Sequence, residues 1–99
     1  MKYKVKLYPR AYRDLDEIYS YIAVNLSESD TAEKMLNALE EAVFSLEEFP
    51  ERGSIRHIGA YANQDYRQIF VKNYTIIYRV HKDIQEVHIV TVRYSPSQF

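Results

Sequence analysis

The sequence lacks cysteine altogether and contains only two glycines, Gly53 and Gly59. Without cysteine the chain can form neither a disulfide nor a zinc–thiolate site, and it has no thiol nucleophile. Two isolated glycines do not make a phosphate-binding loop, and no nucleophile elbow is present. No segment approaches the roughly 18 consecutive apolar residues of a membrane helix. The start, MKYKVKLY, alternates lysine with apolar residues and is not expected to be a signal peptide. These absences favour a cytoplasmic protein.

The chain is short enough for a single domain, but its charges are unevenly placed. Its 99 residues are 46% hydrophobic, which suits one compact core. Residues 14–51 carry eleven acids and one base, a net charge of −10, whereas the rest carries twelve bases and three acids, a net charge of +9. Either the two segments attract each other, or the basic segment meets an acidic partner.

The N-terminal half predicts one strand and two helices. Alternation in residues 2–8 indicates a half-buried strand near a sheet edge, where lysines block unwanted pairing. A helix is expected to start at Pro9, and a second helix at Asp30, with Asp30 and Glu33 forming a capping box. Pro50 and Gly53 are expected to end the second helix. The apolar stripe of the first helix is Ala11, Leu15, Ile18, Ile22 and Leu26. The stripe of the second helix is Ala32, Met35, Leu36, Leu39, Ala42, Val43 and Leu46.

The C-terminal half predicts three strands, at residues 66–71, 74–81 and 86–93, with a further short extended piece within residues 54–58. Short turns are expected at Lys72–Asn73 and near Lys82–Asp83. The resulting order is β-α-α-β-β-β. It predicts an α+β fold in which a helical hairpin packs on one face of a mainly antiparallel sheet, within a single domain spanning residues 1–99.

Alternation along the central strand assigns its two faces. Phe70, Ile77 and Arg79 are expected on the face away from the helices. Large apolar groups mixed with arginine are typical of an interface rather than of a solvated surface. A protein partner fits this face better than RNA does, because only Phe70 and Tyr94 are placed to stack on bases. The face under the helices is expected to hold Tyr74, Ile76, Tyr78 and Val80.

The sequence leaves more than one role possible for several polar residues. Arg67 has the parity of the buried set. Its role is therefore either structural, by reaching water at the strand end or by pairing with a helix acid, or functional, by holding a carboxylate or phosphate in a concave site. The three histidines, His57, His81 and His88, show no metal-ligand spacing, although each is a candidate general base. No metal and no cofactor are expected.

Four segments occur in an order typical of one family: AYRDLDEIYSYI, AEKMLNALEEAVFSLEEFPERG, YRQIFVKNYTIIYRV and VHIVTVRY. With these segments the chain resembles toxins of the RelE/ParE superfamily, which belong to bacterial type II toxin–antitoxin modules. The shared pattern has Ala and Asp-Leu opening the first helix and Leu-x-x-Phe-Pro-x-x-Gly closing the second. An Arg then precedes a Tyr-x-Ile-x-Tyr strand. The resemblance covers nearly the whole chain.

The resemblance implies a microbial ribonuclease-like fold and a cognate antitoxin that wraps the toxin. It also implies one of two activities, because RelE-like members cut mRNA in the ribosome whereas ParE-like members poison DNA gyrase. The catalytic candidates of a ribonuclease would be Arg67, Arg79, Arg93 and Tyr94. The residues expected to bind the antitoxin or the target are Arg67, Phe70, Ile77, Arg79, Arg93 and Tyr94.

The sequence departs from the pattern of the cleaving branch at two places. Thr75 stands where a basic residue is expected, and Ser95, Pro96 and Ser97 stand where Arg or His is expected. This depletion favours a ParE-like, non-hydrolytic toxin associated with plasmid stabilization and growth inhibition, with DNA gyrase as the expected target. A ribosome-dependent mRNA endonuclease and a catalytically inert interaction module are the alternatives, and a homodimer is left open.

Overall fold

The computed structural model describes residues 2–96. Its elements are β1 (Lys4–Leu7), α1 (Pro9–Ser20), a π-helix (Tyr21–Asn25), α2 (Ser29–Ser45), β2 (Ser54–Ile55), β3 (Tyr66–Val71), β4 (Tyr74–His81) and β5 (Glu86–Tyr94). The strands form one sheet in the order β1-β5-β4-β3-β2. Strand β1 runs parallel to β5, and the other neighbours are antiparallel. The predicted α+β class, with a helix pair on one face of the sheet, is confirmed.

The core lies between the helices and one face of the sheet. Every residue of the predicted α2 stripe is buried or packs against this core, and so are Tyr74, Ile76, Tyr78 and Val80 of β4. Strand β1 is an edge strand, as its lysines predicted. We call the opposite side of the sheet, which bears Phe70, the far face.

The π-helix corrects the predicted stripe of the first helix. The Leu26 N–H donates to the Tyr21 carbonyl, five residues back, at 3.2 Å. This wider turn rotates the following residues out of the 3.6-residue phase. Leu26 is therefore 48% exposed, whereas Ile22 remains buried. The prediction that Leu26 joins the core is wrong.

The capping box at the start of α2 is also wrong. The helix starts at Ser29, and its N-cap residue, Glu28, makes no side-chain cap hydrogen bond. Asp30 lies within the first turn, where its charge suits the positive end of the helix dipole. The Thr31 hydroxyl donates to the Glu28 carboxylate at 3.3 Å.

A β-bulge in β5 decides where its C-terminal residues point. Ile77 is opposite Thr91 and Tyr78 is opposite Ile89, so Val90 is an extra residue. A bulge reverses the alternation that follows it. Arg93 pairs with Thr75 and therefore shares the far-face parity, whereas Tyr94 pairs with Tyr74.

Asp14 joins α1 to the part of β5 that extends beyond β1. Its carboxylate accepts a hydrogen bond from the Val92 N–H at 3.0 Å and another from the Thr91 hydroxyl. Since β1 pairs only with residues 86–89 of β5, the Val92 N–H has no strand partner on this side. Asp14 thus satisfies a sheet edge that would otherwise be unpaired.

Gly53 is required by close packing. Its N–H donates to the Tyr78 hydroxyl at 3.0 Å. A Cβ at this position would lie 2.5 Å from the Gln68 carbonyl oxygen and 2.7 Å from the Tyr78 hydroxyl. Tyr78 is fully buried, and burial raises the pKa of its phenol above the usual range.

Candidate binding cleft on the far face

The far face carries a cleft of about 840 Å³ at the end nearer the C-terminus. One wall is the segment 54–58, and the sheet supplies the floor and the other wall. Among the described residues that line it there are two arginines, Arg56 and Arg93, and no acid. The described lining residues are Ser54, Ile55, Arg56, His57, Ile58, Gln68, Phe70, Thr75, Ile77, Arg93, Tyr94 and Ser95. The cleft is therefore cationic and suits an anionic group on a ligand or partner.

Two tyrosines order the far-face arginines. The Arg93 guanidinium lies 5.5 Å from the ring centroid of Tyr61, and the Arg79 guanidinium lies 5.4 Å from that of Tyr66. The two tyrosine rings are 5.0 Å apart, edge to face. Cation–π contacts of this kind restrict both guanidiniums without neutralising them. Arg93 stays exposed, so its N–H groups remain accessible.

Phe70 and Ile77 lie on the far face as predicted, but they differ in exposure. Phe70 is 47% exposed at the cleft, whereas Ile77 is fully buried. Thr75 on the same strand and Thr91 opposite Ile77 on β5 are also buried. The floor of the cleft is thus already packed, and Ile77 presents no surface to a partner in this structure.

Arg67 lies apart from the cleft, on the helix side of the sheet. Its Nη1 donates to the Gly53 carbonyl at 2.7 Å, and its Nη2 lies 3.4 Å from the Glu51 carboxylate. Lys82 contacts the same carboxylate at 3.0 Å, and this contact is the main cause of the lowered pKa of Glu51. Of the two roles considered for Arg67, the geometry matches pairing with an acid, although this acid lies in the turn after α2.

The C-terminal end of β5 is tied to the β3–β4 turn. The Ser95 N–H donates to the Asn73 carbonyl at 2.7 Å, and the Ser95 and Thr75 hydroxyls hydrogen-bond to each other. Tyr94, 65% exposed, lies edge to face with Tyr74. Neutral hydroxyls therefore occupy two positions where the cleaving branch is expected to carry bases. Ser97, the third such position, lies outside the described residues.

The three histidines are not gathered in one site. His57 lines the cleft, and its Nδ1 lies 3.3 Å from Oδ1 of Asn63. His81 and His88 stack on each other with ring centroids 4.2 Å apart. Within residues 2–96, no group of three or more His, Asp or Glu side chains is arranged to hold a metal ion.

His88 belongs to a separate network near β1. Its Nδ1 lies 3.0 Å from the Tyr8 hydroxyl, and its Nε2 lies 2.8 Å from the Glu86 carboxylate. Lys6 approaches the other Glu86 oxygen at 3.2 Å. The hydrogen bonds from His88 and Lys6 lower the pKa of Glu86. This network ties β1 to β5 and to the start of α1.

Sequence reasoning missed three residues of this region, Arg56, Tyr61 and Tyr66, and it named His57 only as one of three candidate general bases. Tyr66 carried a usable signal, because it shares the parity of Phe70 on β3. Tyr61 lies in a loop with several residues of positive φ, including Tyr61 itself at 68° and Asn63 at 58°. No sequence period describes such a loop, so its contact with Arg93 could not be predicted.

The comparison with family models establishes the family to which this chain belongs. Residues 5–98 match the model described as the ParE toxin of the type II toxin–antitoxin system, parDE. The chain belongs to the ParE toxin family. No curated protein sequence matches it significantly.

Solved structures resemble this ParE-family chain throughout its length. The chromosomal ParDE system of P. aeruginosa gives a TM-score of 0.77 at 22% identity, covering 95% of this chain and 97% of that one. The RelBE2 toxin–antitoxin complex of Mycobacterium tuberculosis gives 0.70 at 21% identity, covering 95% and 99%. The isolated E. coli RelE toxin gives 0.63 at 16% identity, covering 97% and 87%. At these identities the similarity establishes the fold.

The segments that suggested the ParE toxin family have structural roles here. Asp14 of the Asp-Leu pair satisfies the edge of β5, and Leu15 beside it is buried. Gly53 of the Phe-Pro-x-x-Gly segment makes room for the Tyr78 hydroxyl. Arg67, the arginine before the Tyr-x-Ile-x-Tyr strand, holds the Gly53 carbonyl. Within residues 2–96, no helix combines the length and apolar character that a membrane crossing needs.

Proposed function

We propose that this ParE-family toxin inhibits bacterial growth in the cytoplasm by binding DNA gyrase, and that a cognate antitoxin neutralises it. The observation that carries the proposal is the far-face cleft, whose described lining residues include two arginines and no acid. A toxin that acts by binding needs a preformed surface rather than a set of proton-transfer groups. The cleft supplies one with charge and a half-exposed Phe70.

The contacts are proposed to form at the rim of the cleft. Arg93 would provide the charged contact, with Phe70 as its apolar neighbour, and Arg79 would extend the cationic surface along the sheet. Tyr94 shares the helix-side parity of Tyr74, so it would contact only a partner that reaches round the end of β5. Because Tyr61 already restricts Arg93, less side-chain entropy is lost on binding. Ile77 would contribute indirectly by supporting the floor of the cleft, and Arg67 by holding the turn that ends at Gly53.

The experiment is controlled expression in a bacterial host, with growth and covalent DNA–gyrase complexes measured together. The wild-type chain should arrest growth and trap cleaved DNA on gyrase. Arg93→Ala should lose most of this effect while keeping its melting temperature. Arg13→Ala, which removes an exposed cation from α1, is the matched control and should behave as wild type. Arrest without trapped gyrase complexes would exclude gyrase as the target.

One observation favours a second candidate, a ribosome-dependent mRNA endonuclease. His57 and Arg56 line the same cleft as Arg93 and Tyr94. The Asn63 amide oxygen beside Nδ1 favours a tautomer in which Nε2 is free to accept a proton, as activation of a ribose 2′-hydroxyl requires. Rapid loss of translated mRNA, abolished by His57→Ala, with gyrase unaffected would establish this activity. A chain that is not toxic at all would instead be an inert interaction module.

A further inference from the structure

The C-terminal end of α2 presents aromatic surface on the side of the molecule away from the cleft. Phe44 is 57% exposed and Phe49 is 63% exposed. Next to Phe49 lies a cavity of about 570 Å³. We call it the α2-end slot, and its described lining residues are Ser45, Phe49, Pro50, Glu51 and Arg52. Exposed phenylalanines beside a concave surface are a feature of docking sites.

Four glutamates of α2 and of the turn that follows it, close to the slot in sequence, are not neutralised by the rest of the described chain. Glu40, Glu41, Glu47 and Glu48 have no cation within 4.0 Å among residues 2–96. The last turn of α2 contains no basic residue. Glutamates at this end of a helix face the negative pole of its dipole, which is unfavourable for the isolated chain. A cationic partner would remove this penalty.

The nearby cations do not fill that role. Arg52 donates to the Ser45 hydroxyl at 2.6 Å, and no acid lies within 4.0 Å of its guanidinium among the described residues. Lys82 and Arg67 both contact Glu51, the one acid among the described lining residues, and neither contacts the four other glutamates. The charge on the outer side of α2 therefore stays negative.

The surface is preformed. The Phe49 N–H donates to the Ser45 carbonyl at 3.0 Å, and the Arg52 N–H donates to the Phe49 carbonyl at 3.2 Å. The Tyr3 N–H donates to the Glu47 carbonyl at 2.8 Å, which fixes the turn to the strand entering the sheet. A partner would therefore meet an ordered surface and would not have to fold it.

We propose that the α2-end slot docks a basic segment of a partner protein that carries one large apolar side chain. The apolar side chain enters the slot beside Phe49, and flanking lysines or arginines meet four glutamates, which are Glu40, Glu41, Glu47 and Glu48. The proposal goes beyond the proposed toxin function, because it concerns the opposite charge and a different side of the molecule. A second copy of this chain is the competing occupant, through its cationic far face. Such a contact joins unlike surfaces, so it would propagate into open chains rather than close into a dimer.

The test uses the full chain and a short synthetic peptide with lysines on both sides of one central tryptophan. Amide NMR shifts and calorimetry measure binding at low and high salt. The expected shifts are confined to residues 44–52. Replacing tryptophan by alanine in the peptide should weaken binding about tenfold or more, the loss expected for a buried anchor. A peptide with glutamates in place of the lysines should not bind.

Variants of the protein separate a specific site from general attraction between opposite charges. Phe49→Ala should weaken binding about tenfold, and Glu48→Lys should weaken it further at low salt. Ile84→Ala, which removes a 56% exposed apolar side chain from the β4–β5 turn, is the matched control and should change nothing. Phe49→Ala and Glu48→Lys must first show the wild-type melting temperature. If Phe49→Ala does not fold, the effect of Glu48→Lys on peptide binding tests the proposal.

Two results would overturn the proposal. Peptide-induced shifts spread over all acidic residues, with no effect of Phe49→Ala, would mean attraction without a site. The protein without peptide could also assemble into chains of increasing mass. If the Phe49→Ala variant stayed monomeric under the same conditions, the slot would be assigned to a second copy of this chain. Neither result bears on growth arrest, so failure of the proposed toxin function is recognised separately.

Discussion

Asp14 connects the first helix to the last strand, so its replacement should separate the two and destabilise the fold. In Asp14→Ala, the Val92 N–H and the Thr91 hydroxyl both lose their acceptor. Asp14 has only 12% of its side chain exposed, and Thr91 only 1% of its whole residue, so water replaces the lost bonds poorly. A buried polar group left without a partner costs about 1–3 kcal/mol. Two such groups predict a loss of about 2–6 kcal/mol in the free energy of unfolding.

Urea unfolding and thermal melting measure this loss. For a domain of this size, each kcal/mol lowers the melting temperature by roughly 4–8 °C, so a fall of at least about 8 °C is expected. Asp14→Asn keeps one oxygen acceptor and should lie between the wild type and the alanine variant. Hydrogen exchange gives a local readout, because the Val92 amide should lose more protection than its neighbours in β5.

Asp16→Ala is the matched control. Asp16 is exposed on the same helix, and alanine favours helix over aspartate by about 0.5 kcal/mol, so this variant should be neutral or slightly stabilised. Any deficit at Asp14 then cannot come from helix propensity. If Asp14→Ala matched Asp16→Ala within about 0.5 kcal/mol, or if Val92 exchange were unchanged, the assigned edge contact would be refuted.

Three further perturbations test the core, a close contact and an ion pair. Leu39→Ala empties a fully buried site under the sheet and should cost about 2–5 kcal/mol by urea unfolding, whereas a negligible change would contradict the helix phase. Gly53→Ala should cost about 1–3 kcal/mol, because its Cβ would lie 2.5 Å from a backbone oxygen, and an unchanged melting temperature would show that this contact relaxes freely. Glu86→Gln removes a carboxyl group whose pKa in the folded state is lowered mainly by His88. In the wild type this group therefore stabilises the fold at pH values above its unfolded pKa of about 4.3, and this stabilisation is lost as the pH falls through the folded pKa. The stability difference between wild type and this variant should therefore shrink between pH 7 and pH 3 in urea titrations, and a constant difference would exclude the assigned ion pair.

Elements with a strong local period were predictable. Strands β3 and β4 have the bounds that alternation indicated, and the α2 stripe faces the core over its whole length. The π-helix at Tyr21–Asn25 was not predictable in this way, since one extra backbone residue per turn leaves no mark in the apolar spacing. Leu26 was consequently placed on the wrong side.

The candidate site depended on features that simple alternation does not contain. Uninterrupted alternation from Val87 and Ile89 would have put Arg93 under the helices and Tyr94 on the far face. The extra residue Val90 reverses this, and the cleft gains its arginine as a result. Tyr61 reaches Arg93 from a loop of left-handed backbone conformations, and only the folded chain brings the two together.

The buried floor of the cleft bears on how a partner is recognised. A protein that needs its partner in order to fold exposes large apolar groups at the interface when the partner is absent. Here Ile77 is fully buried, and the apolar exposure of the sheet floor is concentrated at Phe70. The free toxin should therefore be a stable fold whose partners act on the rim. Because that rim is cationic, association should be fast and salt-dependent, and Arg93 should influence the association rate as well as the lifetime of the complex.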